Sequence, residues 1–261
     1  MKKKQWPDLV MIERHGYSYA QLMREQAERS GVLRFDLGML EHEAPLVERG
    51  RLQAAARGRW LRQLPAHRQP TVVLVSPFVR TCETNEIQLA EWGIPLTQLT
   101  VKVDERLREF EHGDLTYLTR RGRRELHPEE EEKERLAGLL DYAQAVGQSI
   151  RSKAQDMLSL RDDLQGLYAG ERVLLVSHSR ATQCGLAGLL NLTDEQFELL
   201  IRSGDVANCS ITTLVPCSEC DVLVPDPEQP YLGDPLSAAA KARDWFAFWN
   251  PGCFCVKQPK A

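Results

Sequence analysis

Two kinds of hydrophobic pattern alternate along the chain. Leu9-Val10-Met11-Ile12, Thr71 to Val75, Val173 to Val176 and Ser210 to Val215 are short, apolar runs bounded by polar residues. Runs of this length and uniformity read as strands buried on both faces of a parallel sheet. Leu99 to Val103 is a weaker member of the set. Between the runs, apolar positions recur every three or four residues, which predicts helices over about 19–29, 48–64, 83–92, 180–190 and 194–202, and a long helical region over about 128–165. Strand alternating with helix predicts an α/β fold, a three-layer sandwich around a mostly parallel, doubly wound sheet.

The stretch from about 116 to 165 is longer than one crossover helix requires and reads as a helical insertion. Within it, His127-Pro128 followed by Glu129, Glu130, Glu131 and Glu132 marks a helix start, with proline at a first helical position and acids in the first turn. The four glutamates are more simply a solvated helix end than a metal site. After Val215 the chain turns proline-rich and carries the aromatic segment Trp245-Phe246-Ala247-Phe248-Trp249. The expectation is one domain over 1–261, with a core of about 8–215 and a tail over 216–261 packed against it.

Composition narrows this picture. With 261 residues, 43% of them hydrophobic, the chain can bury a core without disulfides or metal as scaffolding. A net charge of −4 gives no reason to expect nucleic acid or a membrane as partner, since both favour basic surfaces. The lysines near the start resemble the charged region of a signal peptide, but Leu9 to Ile12 is too short for a signal core and nothing later could span a bilayer, so a cytoplasmic protein is expected. Seven cysteines without disulfide-scaffold spacing fit a reducing compartment. Cys217 with Cys220 and Cys253 with Cys255 could supply four thiolates to zinc, yet the second pair is spaced by one residue, and buried or idle thiols are the simpler reading.

In doubly wound sheets ligands bind at the carboxyl ends of strands, so the residues directly after each strand matter most. Glu13-Arg14-His15-Gly16 stands after the first, Ser76-Pro77-Phe78-Val79-Arg80-Thr81 after the second, and Ser177-His178-Ser179 after Val176. The segment Leu107 to Leu115 adds Glu109 and Glu111. Any one of these has a dull explanation, as a surface arginine or a satisfied structural histidine. Two arginines and two histidines at three strand ends are harder to obtain by accident.

Together these motifs resemble the ordered signature of the histidine phosphatase superfamily, the group of the cofactor-dependent phosphoglycerate mutases and many small-molecule phosphatases. The resemblance runs through Arg14-His15-Gly16, Ser76-Pro-x-x-Arg80-Thr81, Leu107-x-Glu109-x-x-x-Gly113 and Ser177-His178. Gly50-Arg51-Leu52-Gln53-Ala54, Gly147-Gln148-Ser149 and Asn208-Cys209-Ser210 are similar to further elements of that family, so it covers about 8–215.

The resemblance implies the chemistry. His15 is the expected nucleophile, a neutral imidazole that takes up the phosphoryl group. Arg14 and Arg80 would clamp the phosphate oxygens, because a planar guanidinium pairs bidentately with phosphate and stays charged. A charge pair 4 Å apart at an effective dielectric near 20 contributes roughly 4 kcal/mol. His178 would donate to the same oxygens. Glu109 takes the family's acid position, protonating the leaving oxygen and then activating water, with Glu111 two residues away as the alternative. Since arginines would already neutralise the phosphate, neither metal nor cofactor is implied. The expected geometry is one pocket holding Arg14, His15, Arg80 and His178, with Glu109 overhanging it and the helical insertion near the active site.

Three positions depart from the family pattern. Tyr17 comes after Arg-His-Gly where Glu or Gln is usual, Gln21 stands for an asparagine that would bind phosphate, and Ser179 stands for a glycine. The expected activity is hydrolysis of a small-molecule phosphomonoester through a phosphohistidine. A mutase-like phosphotransferase and a non-catalytic phosphate-binding module are the alternatives, and a homo-oligomer is left open. Arg120, Arg121, Arg123 and Arg124 could meet a second anion on the substrate, although a helix face paired with nearby glutamates explains them more simply. The chain has no Cys-x5-Arg loop, no Asp-x-Asp, no Gly-x4-Gly-Lys loop and no Gly-x-Ser-x-Gly elbow, which removes four competing enzyme classes.

Overall fold

A computed structural model describes residues 5–111, 113–143, 147–219 and 222–237. The predicted strands form as β1 (Leu9–Arg14), β2 (Val72–Val75), β3 (Thr100–Val103), β4 (Arg172–Ser177) and β5 (Ile211–Pro216), and two short ones come after them, β6 (Leu223–Pro225) and β7 (Tyr231–Leu232). They make one sheet in the order β3-β2-β4-β1-β5-β6, with β7 also paired to β5. The pairs β1–β4, β2–β4 and β2–β3 are parallel. β5 runs antiparallel to β1, and β6 and β7 run antiparallel to β5. The parallel sheet is therefore a four-stranded core with an antiparallel extension. Apolar periodicity carries no strand direction, and strands of three and two residues among prolines leave no period to read.

The period-two alternation of the strands builds three layers. Leu9 and Met11 join Val73, Val75, Leu174, Val176 and Ile211 on one face, packed against Leu61 and Trp92. Those two residues belong to α2 (Glu48–Gln63) and α3 (Val79–Trp92). Val10 and Ile12 join Leu74, Leu175 and Leu214 on the other face. There the partners are Met157, Leu160 and Leu164 of α6 (Ile150–Gly166), Leu186 of α7 (Ser179–Leu189) and Phe197 of α8 (Asp194–Arg202).

Two helix boundaries differ from the sequence expectation, for local reasons. α3 starts at Val79, four residues before Glu83, because its N-cap is Phe78, which has no capping side chain to mark the start. Instead the Thr81 hydroxyl donates to the carbonyls of Ser76 and Phe78. This brings Arg80 onto the first helical turn. The long region over 128–165 is interrupted at Gly138, whose φ of 85° ends α5 (Pro128–Ala137). α6 then belongs to the layer against the sheet. α5 buries nothing, and its glutamates make short-range ion pairs, Lys133–Glu130 and Arg135–Glu132. α4 (Arg120–Leu126) precedes it.

α1 (Tyr19–Ser30) opens with a capping box, in which Ser18 accepts from the Gln21 N–H and the Gln21 side chain accepts from the Ser18 N–H, and it stops at Gly31 in the left-handed region. Among the described residues no helix is long and apolar enough to cross a membrane. Part of the tail is fastened to the body: Arg68 pairs with Asp226, and Arg49 with Asp234. The segment Trp245 to Trp249 and the cysteines 220, 253 and 255 lie outside the described residues. Cys217 is partly buried.

One contact fixes how β1 leaves the sheet. A Cβ added at Gly50 would lie 2.1 Å from the carbonyl oxygen of Tyr17, and one at Gly16 would lie 2.5 Å from the carbonyl oxygen of Gly50. The turn after His15 thus rests on the bare backbone at the start of α2. Gly50→Ala should lower stability by about 1–3 kcal/mol, as overpacking does, and depress the melting temperature by several degrees. A circular-dichroism melt unchanged from wild type would contradict this contact.

Candidate active site

Arg14 is the last residue of β1 and His15 the next, while His178 caps α7 directly after β4. Glu109 lies just beyond the tight helical turn Glu105–Leu107. At these strand ends a cavity of about 360 Å³ opens, and Arg14, His15, Gln21, Arg80, Glu109 and Glu111 are among its lining residues.

His15 is 2% exposed, with Nδ1 2.6 Å from the Gly16 carbonyl oxygen. On the other side of the ring, Arg80 Nε donates to Nε2 at 3.2 Å. A guanidinium N–H can only donate, so Nε2 carries the lone pair and Nδ1 carries the proton given to Gly16. Burial, then the Arg80 and Arg14 charges, hold the imidazole pKa well below its usual 6.5, against the opposing effect of the Gly16 bond. The ring is neutral and in a single tautomer. Its backbone is equally fixed: the His15 carbonyl accepts from Asn208 Nδ2 at 2.9 Å and from the Cys209 N–H at 3.3 Å.

Arg14 donates Nη1 to the Val206 carbonyl, and its buried Nε has no hydrogen-bond partner. Burial lowers its pKa, and Asp205 and Glu109 counteract that. Arg80 gives Nη1 to the Glu41 carbonyl and Nη2 to Glu41 Oε1, both at 2.8 Å. One N–H on each terminal nitrogen of Arg80 is left over for a ligand. Glu41 lines the cavity and was not singled out by sequence reasoning, which has no signal for a carboxylate brought to Arg80 from 39 positions away.

His178 is placed differently from the expectation. It has no exposed surface and does not line the cavity. As the N-cap of α7 it is held with Nε2 2.8 Å from Ser76 Oγ, and its ring sits edge-on to those of His15 at 5.1 Å and Phe78 at 4.8 Å. It lies one ring behind the cavity surface, with a buried Nδ1 that has no hydrogen-bond partner. Burial, followed by the Arg80 charge, keeps its pKa well below 6.5.

Glu109 and Glu111 both line the cavity but are held differently. Glu109 Oε1 accepts from the Phe110 N–H at 2.9 Å and from the Ala181 N–H in the first turn of α7 at 3.2 Å. The side chain of Glu111 is 61% exposed and 3.8 Å from Arg108. Gln21 has its amide engaged, in a reciprocal pair with the Asn208 amide and in the capping box with Ser18.

The other departures from the family pattern find local partners. Ser179 Oγ donates to Asp205 Oδ1 at 3.2 Å and accepts from the Val206 N–H at 3.0 Å, fastening the loop whose carbonyl takes Arg14. Tyr17 lies outside the cavity lining, with its N–H on Gln53 Oε1 and its ring under Arg49. None of Arg120, Arg121, Arg123 and Arg124 lines the cavity, and Arg121 pairs with Glu125 at 2.6 Å. Arg24 and Arg108, which do line it, were not anticipated. Among the described residues no group of three or more His, Cys, Asp or Glu could hold a metal ion.

A buried neutral histidine flanked by arginines at the tips of a parallel sheet agrees with the family comparison. Residues 39–224 match the histidine phosphatase superfamily (branch 1), and the chain belongs to that family. Arg14 and His15 precede the matched stretch. The fold is similar to that of a mycobacterial glucosyl-3-phosphoglycerate phosphatase complexed with inorganic phosphate, at 23% identity and a TM-score of 0.65 over 88% of this chain and 100% of the other. It is also similar to the alpha-ribazole phosphatase from Shigella flexneri, at 18% identity and 0.62 over 83% and 94%, and to Bacillus stearothermophilus YhfR, at 20% and 0.64 over 83% and 94%. No curated protein sequence matches the chain.

Proposed function

We propose that the protein hydrolyses a small-molecule phosphomonoester through a phosphohistidine on His15. The observation that carries this reading is the tautomer of His15: Nδ1–H is tied to Gly16, and the Nε2 lone pair meets Arg80 in an arginine-lined cavity. A neutral imidazole whose Nε2 lone pair faces the cavity is the form that attacks phosphorus, once substrate oxygens take the Arg80 N–H that rests on it. The similar structures of glucosyl-3-phosphoglycerate phosphatase and alpha-ribazole phosphatase support the substrate class.

Each step uses groups present in the cavity. A phosphomonoester enters with its oxygens against Arg14 and Arg80, whose charges offset the negative charge that spreads over them in the transition state. Nε2 of His15 forms a bond to phosphorus as the phosphorus–oxygen bond of the ester breaks, and the departing alkoxide takes a proton from Glu109. Glu109, now a carboxylate, removes a proton from water, and the resulting hydroxide attacks phosphorus and returns His15 to its neutral state. The anchoring of Glu109 by two backbone N–H groups favours it over the exposed Glu111 for this role. His178 would stiffen the site from behind the His15 ring, held there by Ser76.

Steady-state release of nitrophenolate from 4-nitrophenyl phosphate tests the proposal. Turnover should be unchanged by a chelator, because the arginines supply the positive charge that magnesium provides in other phosphoryl-transfer sites. Orthovanadate, a five-coordinate mimic of the transferring group, should inhibit. Activity lost with chelator and restored by magnesium would overturn the metal-free mechanism, and no turnover with any phosphomonoester would overturn the enzymatic reading.

A further inference from the structure

The reaction leaves one buried set of charged groups unused, directly beneath the residues it depends on. Glu13 continues the row of Leu9 and Met11 that faces α2 and α3, yet it is a carboxylate with no exposed surface. Its Oε1 accepts from Gln88 of α3, and its Oε2 has no hydrogen-bond partner. Burial pushes its pKa up to about 7, against the opposing pull of Arg57, Gln88 and Cys209. Arg57 comes from α2 and is 1% exposed. Its donors go to main-chain carbonyls: Nε to Cys209 at 2.9 Å, and Nη2 to Cys209 and to Gly233, the latter at 2.7 Å.

Cys209 is the centre of a short cradle under the reacting residues. It is one of two non-glycine residues with positive φ among the described residues, at 50°, a conformation that persists only where surroundings enforce it. Its N–H is directed at the carbonyls of Arg14 (2.8 Å) and His15 (3.3 Å). Its neighbours repeat the pattern. Val206 O takes Arg14 Nη1, Asn208 Nδ2 reaches the His15 carbonyl, and Ser210 O accepts from the Arg14 N–H. Residues 206–210 thus hold the Arg14-His15 main chain at several points, and Arg57 grips the cradle from below.

We propose that Arg57 is a positioning residue for phosphoryl transfer, fixing the Cys209 carbonyl and through it the backbone of Arg14 and His15. The inference rests on the reading of His15 as the phosphoryl acceptor. A buried guanidinium contributes little net stability compared with an apolar side chain of its size. What it adds here is a fixed donor geometry aimed at one loop. Misplacing a reacting atom by about 1 Å lowers a rate on the order of 10²-fold, while leaving groups that bind the substrate in place.

The test compares wild type, Arg57→Met, Arg57→Lys and Leu61→Ala with 4-nitrophenyl phosphate at 25 °C, alongside thermal melts. Leu61 is fully buried in the same helix, packs in the core and makes none of the cradle contacts, so its variant reports lost stability alone. Arg57→Met should lower kcat and the single-turnover phosphorylation rate by about 10- to 100-fold with KM within about twofold, the signature of lost transition-state geometry. Arg57→Lys should lose less, because one ammonium keeps the charge but lacks the fork that spans two carbonyls. Leu61→Ala should melt earlier yet keep wild-type kcat. Wild-type kcat in Arg57→Met, or an equal loss in Leu61→Ala, overturns the proposal. Should Arg57→Met fail to fold, the lysine variant decides: reduced kcat at unchanged KM supports the proposal and undiminished kcat overturns it. Absence of turnover in wild type would instead remove the reading of the site itself.

Discussion

Substituting alanine for His15 is expected to abolish turnover of every phosphomonoester, by a factor on the order of 10⁴ or more, whatever the leaving group. No second group stands ready to take its place. The neighbouring His178 is tied to Ser76 and does not line the cavity. The variant should still fold and bind vanadate or phosphate, since Arg14 and Arg80 remain, although Arg80 loses the acceptor for its Nε–H. A variant that folds, binds phosphate and retains a tenth of wild-type kcat would exclude His15 as nucleophile.

The second large effect separates the nucleophile from the acid. Glu109→Gln should slow hydrolysis of an alkyl phosphate by about 10²-fold or more, the usual contribution of a positioned general acid. With 4-nitrophenyl phosphate the leaving group needs little protonation, so the phosphorylation step should fall much less, and hydrolysis of the intermediate becomes limiting because the same carboxylate activates water. Glu111→Gln should change both substrates slightly and alike, because its side chain is largely in solvent beside Arg108. Single-turnover rates with both substrates in both variants decide the assignment. An unequal pattern in Glu111→Gln, with equal losses in Glu109→Gln, would move the acid role to Glu111.

The parts of this protein that were legible in its sequence are those encoded locally. The apolar runs at β1, β2, β4 and β5 announce a sheet because each is buried on both faces, and Arg14, His15 and Arg80 stand out because they come within a few residues of the ends of such runs. What was illegible is set by residues far apart in the chain. The antiparallel course of β5 depends on how it returns to β1, which no period reveals. The start of α3 is hidden because Phe78 is not a capping residue. Glu41 meets Arg80 only through the fold, and His178 reads like a pocket residue until Ser76 and Phe78 enclose it. Glu13 is the clearest instance. Beside Arg14 it reads as part of a polar strand tip, whereas it is the last inward-facing position of β1 on that face, where burial outweighs the pull of Arg57 and raises its pKa.

The central claim is that the phosphoryl group passes through His15, and trapping the intermediate tests it most directly. Glu109→Gln should be mixed with phosphorus-labelled 4-nitrophenyl phosphate, quenched in alkali within the first turnover and digested, with the labelled peptide located by mass spectrometry. The account predicts one label per active site, stable in base, lost in acid and carried by His15. Turnover without any base-stable label, or a label on a residue other than His15, would contradict it.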